Sequence, residues 1–184
     1  YLALILLLLL LLGTTYLYPY SNLSLNKSYT YNADNVIVKE YVRDLRNFKK
    51  VYKNDLKENG FSENMTSRVD YLLKMSEQKW LVKKNSSNMK RGNYNLYYDV
   101  KLLRESLMDL ETEKNYSPET ESYLKYTIDA CSTIEKDIID LQNSKNASRS
   151  QLQTQYHNLH VHFMNCFRIF TSYYEAAKKE ELNN

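Results

Sequence analysis

The sequence predicts an all-α protein built from four long helices. Three observations carry this. The chain has 184 residues but only three Gly and two Pro, too few for the many tight turns of a sheet protein of this size. Apolar residues recur at steps of four and three along four separate stretches. Between those stretches lie breaks rich in Asn, Ser and Gly.

The first segment stands apart. Residues 2–12 form an unbroken apolar run, followed by Gly13, Thr14 and Thr15. Eleven residues suit the core of a signal peptide and are short for a membrane span, which needs about 20. The expected organisation is a signal peptide over residues 1–20 and a single helical domain over 21–184. The alternative for residues 1–20 is a retained membrane anchor, since Tyr16 and Tyr18 suit an interface. Either way the remainder is expected outside the cytoplasm.

The helices follow in order. Asp34 can cap a helix whose apolar positions are Val38, Val42, Leu45, Phe48, Tyr52 and Leu56, ending at Asn59-Gly60. The stretch 61–88 reads as a long connection with partial helix around Val69, Leu72, Leu73 and Trp80. Leu96, Val100, Leu103, Leu107 and Leu110 make the second stripe. Ser117-Pro118-Glu119 opens the third helix: Ser as cap, Pro in the first turn, Glu on the positive end of the dipole. Its stripe is Leu124, Ile128, Cys131, Ile134, Ile138 and Leu141. The last helix carries Leu152, Tyr156, Leu159, Phe163, Cys166, Phe170, Tyr173 and Ala177. Expected spans are 35–59, 93–114, 118–141 and 150–180, with no sheet.

Candidate chemistry is sparse. A net charge of +3 from 25 basic and 22 acidic residues is near balance and does not read as a nucleic-acid groove. His157, His160 and His162 read as surface or rim residues, with no zinc-binding spacing nearby. Cys131 and Cys166 lack Cys-x-x-Cys spacing; they form a disulfide or remain two buried thiols. With no phosphate loop, nucleophile elbow or paired-carboxylate motif, no catalytic residue, cofactor, metal or small-molecule substrate is expected. Six Asn-x-Ser/Thr sequons are candidate glycosylation sites: Asn22, Asn26, Asn64, Asn85, Asn115 and Asn146.

The segment Asn93-Tyr94-Asn95-Leu96-Tyr97-Tyr98-Asp99-Val100-Lys101-Leu102-Leu103 resembles the second bundle helix of the ciliary neurotrophic factor and interleukin-6 family of long-chain four-helix cytokines. Leu56-Lys57-Glu58-Asn59-Gly60 resembles the end of that family's first helix, and Trp80 falls in a long crossover as in several members. Ser117-Pro118 opens the third helix at a similar distance, and Leu152-Gln153-Thr154-Gln155 is similar to the fourth helix of interleukin-6. The resemblance implies an up-up-down-down four-helix bundle with a long first crossover; the alternative is an antiparallel up-down bundle. It implies a secreted, glycosylated growth-factor-like ligand of class I cytokine receptor ectodomains. Its contacts would include Trp80, Gln151 and Gln155 near the start of the fourth helix. Two departures weigh against it. Ser150-Gln151-Leu152-Gln153 stands where the family carries a receptor-contacting Phe-x-x-Lys. The break at 143–150 is too short for an overhead crossover unless the third helix ends near Ile134. The rival expectation is a membrane-anchored helical scaffold or adaptor outside the cytoplasm.

Overall fold

The computed structural model describes residues 1–58, 63–84, 86–91, 94–113 and 115–183. Among the described residues seven helices and one short ribbon follow in the order α1 (Leu2–Leu17), β1 (Ser28–Tyr31), α2 (Asn35–Glu58), α3 (Glu63–Ser76), α4 (Lys79–Val82), β2 (Ser87–Lys90), α5 (Tyr94–Glu113), α6 (Pro118–Asn143) and α7 (Arg149–Asn183). The four long helices α2, α5, α6 and α7 lie within three residues of their expected spans. The structure departs from the expected partial helix over 61–88 and from the expected absence of any sheet. Residues 63–76 form a continuous helix, and β1 pairs antiparallel with β2, Tyr29 opposite Met89 and Tyr31 opposite Ser87.

Local chemistry explains the helix starts. Asp34 Oδ1 accepts from the backbone N–H of Val36 at 2.7 Å, satisfying one of the free donors that open α2. Asn59-Gly60, expected to end this helix, lies outside the described residues. Ser117 caps α6 by accepting from Thr120 N, with Pro118 in the first turn and Glu119 and Glu121 beside the positive dipole end. Glu180, near the far end of α7, reinforces this start by accepting from Ser117 N and from the Ser117 and Thr120 hydroxyls. Ser117→Ala should therefore cost about 1 kcal/mol, read as a lower urea midpoint at unchanged m-value. An unchanged midpoint would show that Glu180 alone holds the helix start.

Side-chain pairs fix the directions. Arg104 with Glu135 and Glu111 with Lys125 make α5 and α6 antiparallel. Lys74 with Asp99 and Arg68 with the Ser106 carbonyl make α3 antiparallel to α5. The rings of Tyr41 on Phe167 and Phe48 on Tyr174, and the ion pair of Asp55 with Lys178, run α2 parallel to α7. Ser144 with Gln155, Asp137 with His162, Cys131 with Cys166 and Thr120 with Glu180 make α6 and α7 an antiparallel hairpin. The up-up-down-down order requires that last pair to be parallel. α6 does not stop near Ile134 but continues to Asn143, and residues 144–148 are too short a link to carry the chain back along it. α2 and α5 do run the same way, because α3 descends between them.

The core is aromatic between α2 and α7. Phe48 lies edge-on against Phe167, Phe170 and Tyr174, and Tyr41 against Phe167. Every expected stripe position of α5 and α7 is buried. On α2 the buried face is turned slightly: Tyr41 and Asp55 are buried, while Leu56 is exposed. Asp55 tolerates burial because Tyr174 donates its hydroxyl to it at 2.9 Å and Lys178 pairs with its other oxygen. In contrast, α1 buries none of its residues. Pro19 and Tyr20, which follow it, are buried.

Candidate functional site

The richest surface is at the end of the bundle where the ribbon, α4 and the beginning of α7 meet. The first two turns of α7 extend past the end of α6 and pack on the ribbon. Tyr29 stacks on Tyr156 with ring centroids 5.7 Å apart and donates its hydroxyl to Gln153. Tyr31 contacts Trp80, Tyr156 and His160. Tyr20 reaches in from the N-terminal side, its hydroxyl 2.6 Å from that of Tyr156 and 3.0 Å from the Met89 carbonyl. Burial, together with the neighbouring Tyr156 hydroxyl, pushes the Tyr20 phenol far above its ordinary range, so both hydroxyls stay protonated.

This end also meets α1. The Arg149 guanidinium lies 4.8 Å from the Tyr16 ring centre and 5.6 Å from that of Tyr29. Its Nε donates to the Tyr16 carbonyl, and Leu25 N donates to the Thr15 hydroxyl. An unbroken run of contacts therefore leads from α1 through Arg149, Tyr29 and Tyr156 to a cleft of about 750 Å³. Leu96, Ile138, Leu141 and Leu159 form its apolar floor, and Trp80, Met89 and Tyr156 its wall. Lys79, Lys83, Lys90 and Arg91 stand around it with one acid, Glu77, which pairs outward with Lys49.

Trp80, expected to contact a receptor, is only 6% exposed and packs edge-on against Phe163 and His160. It closes the end of the core and walls the cleft. Gln151 and Gln155 do not join it. They line a separate shallow polar depression and are engaged in the α6–α7 turn. Gln151 accepts from Ser148 N while its own N–H donates to Ser148 Oγ, a capping box. Gln155 accepts from Ser144 Oγ. The Ser148-x-x-Gln151 spacing was available in the sequence as the signal for that role.

His160 is buried, contrary to the surface or rim placement expected of it, because the ribbon and α4 cover this face of α7. Burial, then the charge of His157, pulls its pKa down to about 4 against a smaller upward pull from the Leu81 backbone. His157 is exposed, and His162 pairs with Asp137 at 2.5 Å. Among the described residues no group of three His, Cys, Asp or Glu is placed to hold a metal ion. Cys131 and Cys166 are buried free thiols with their sulfurs 3.6 Å apart. Of the sequons, Asn22, Asn26, Asn115 and Asn146 are exposed; Asn85 and the side chain of Asn64 lie outside the described residues.

No family model, curated protein or solved structure matches this chain.

Proposed function

We propose that the chain is an exported helical adaptor that stays at the membrane through α1 and binds a partner protein outside the cytoplasm without catalysing a reaction. The observation that carries this is the contrast between α1 and the rest. α1 is apolar on every face along residues 2–12 and buries nothing, a surface suited to lipid rather than water. Its C-terminal turn is nonetheless bonded to the bundle at Thr15 and Tyr16. As described, no helix is long and apolar enough to cross a membrane, so α1 is proposed as an inserted anchor, not as a complete span. The secreted receptor ligand implied by the cytokine resemblance ranks second. Its parallel third and fourth helices are replaced by an antiparallel hairpin, and Trp80 is buried in the bundle end.

The test is the N-terminus of the protein made by its native host, read by peptide mass spectrometry. Recovery of residues 2–12 in the membrane fraction supports the anchor. A soluble mature chain beginning between Thr14 and Tyr20 overturns it and restores the secreted ligand. A start beyond Tyr20 is not expected, because it would remove a core residue bonded to Tyr156. Export through a glycosylating compartment also predicts glycans on the exposed Asn22, Asn26, Asn115 and Asn146. An N-glycosidase should then increase the chain's mobility on a denaturing gel, and unchanged mobility would argue against that route.

A further inference from the structure

Residues 87–91, the whole of β2 and the residue after it, line the cleft beside Trp80, whereas β1 contributes none. Successive side chains of a strand point to opposite faces, so a cleft against the face of the ribbon would be lined by alternate residues of both strands. Consecutive residues of a single strand line a cleft that runs along its edge. β1 occupies one edge of β2, pairing at all four positions, and among the described residues no third strand occupies the other. The cleft therefore follows the open edge of β2.

An open edge presents unpaired backbone N–H and C=O groups to whatever enters beside it. Among the described residues the backbone of β2 makes one bond outside the ribbon, its Met89 carbonyl accepting from the Tyr20 hydroxyl. Four residues give roughly 13 Å of edge. Tyr29 and Tyr31 hold the ribbon against α7 and α4, so this edge is in place before anything binds it.

The surroundings select the kind of segment that fits. Lys79, Lys83 and Lys90 stand exposed around the cleft, and Arg91 is half-buried. Lys83 is held beside the strand by donating to the Ser86 carbonyl, which leaves its charge in place. The one acid among the described lining residues, Glu77, pairs outward with Lys49. Four cations against one paired acid favour carboxylates on the incoming chain. They oppose a second copy of this chain, because edge-to-edge pairing would bring two such rims together.

We infer that β2 receives an extended acidic segment of a partner protein as a third strand. Its backbone pairs along the open edge, its carboxylates lie toward Lys79, Lys83, Lys90 and Arg91, and its alternate apolar side chains enter the cleft. This surface is the contact of the proposed adaptor. Its assignment rests on that reading for the existence of a partner protein, but not on the retention of α1.

The probe is a capped eight-residue peptide alternating Val and Glu, titrated calorimetrically into the full chain. Binding should saturate, and amide hydrogen exchange should slow across residues 87–91. A peptide with Lys in place of Glu should do neither. Methylating the peptide nitrogens at every Val, or at every Glu, removes the donors of one strand edge. One of the two methylated forms should therefore bind about tenfold more weakly. Lys79→Glu combined with Lys90→Glu should also weaken the parent peptide about tenfold. Both lysines are exposed, and unchanged far-ultraviolet circular dichroism confirms that the variant folds. No binding, binding without protection of 87–91, equal binding of the basic peptide, or undiminished affinity of both methylated forms or of the charge-reversed variant would overturn the inference. So would protection of 87–91 that rises with protein concentration alone, which would mark a second copy as the occupant. A soluble mature chain that still binds the peptide overturns the anchored adaptor and leaves the strand addition standing. A membrane-retained chain that fails to bind it does the reverse.

Discussion

Oxidised glutathione should join Cys131 to Cys166 and raise the unfolding free energy by about 4 kcal/mol, the chain-entropy estimate for a loop of this size. The sulfurs stand 3.6 Å apart and need to approach to about 2.0 Å. The hairpin brings them level because its paired residues are symmetric about Arg149 or so, not about residue 146, the midpoint of the break. Residues 144–148 fold back on themselves through Ser144 N to Leu141 O and Ala147 N to Ser144 O. Counting symmetrically from the break instead puts the cysteines five residues out of step, and an antiparallel pair is then expected to hold them apart. Reaction should be slow, because the hydrogen bond with Cys166 and burial both push the Cys131 thiol well above its ordinary pKa. The product loses two hydrogens by intact mass and should melt roughly 10 °C higher, the shift that ~4 kcal/mol gives a domain of this length. Cys166→Ala should show neither change. An oxidised form that melts no higher would mean that strain in the closed bridge cancels the entropic gain.

The helical class and the long helices were legible because their signals are local. Leu96 to Leu110 and Leu152 to Ala177 keep their spacing without help from the rest of the chain, and all their stripe positions are buried. Ser117-Pro118 and Asp34 act within one turn, and both cap as their residue types suggest. Where the sequence misled, a distant partner decided. The turn of the α2 face toward Asp55 depends on Tyr174 and Lys178. The polar interruption at Arg68 does not break α3, since the Ser106 carbonyl accepts from its Nε at 2.7 Å. The ribbon strands have four residues each, too few for alternation at Tyr29 and Tyr31 to stand out, and they pair across nearly sixty residues.

The cleft was illegible for the same reason. Its floor joins Leu96, Ile138 and Leu159 from three helices, and each reads alone as an ordinary core position. Only the packed structure brings Trp80, Arg91 and Gln142 to line one cleft. Trp80 could be singled out as the one tryptophan in a polar setting. That setting gave no sign that the ring is buried and only its N–H lacks a partner.

His160 makes acid the condition under which this end of the bundle should weaken most. It is buried against Trp80 and Tyr31, with Tyr31 Oη 3.2 Å from its Nδ1. Its pKa is about 4 in the folded chain and near 6.5 when unfolded. Between those values the unfolded chain binds the extra proton, so stability falls as pH falls. The contribution is whole above about pH 6.5 and is lost progressively toward pH 4. At about 1.4 kcal/mol per unit, the loss reaches roughly 3 kcal/mol. The nearby His157 opposes protonation of His160 as well. His160→Gln keeps a polar partner for Tyr31 but does not titrate. Urea unfolding at pH 7 and pH 4.5 should show a much larger drop for the native sequence than for the variant. Carboxylates titrate in both proteins, so the difference between the two drops isolates His160. Equal drops would mean that protonated His160 finds an acceptor in the folded state, with the Leu81 carbonyl on α4 the first to examine.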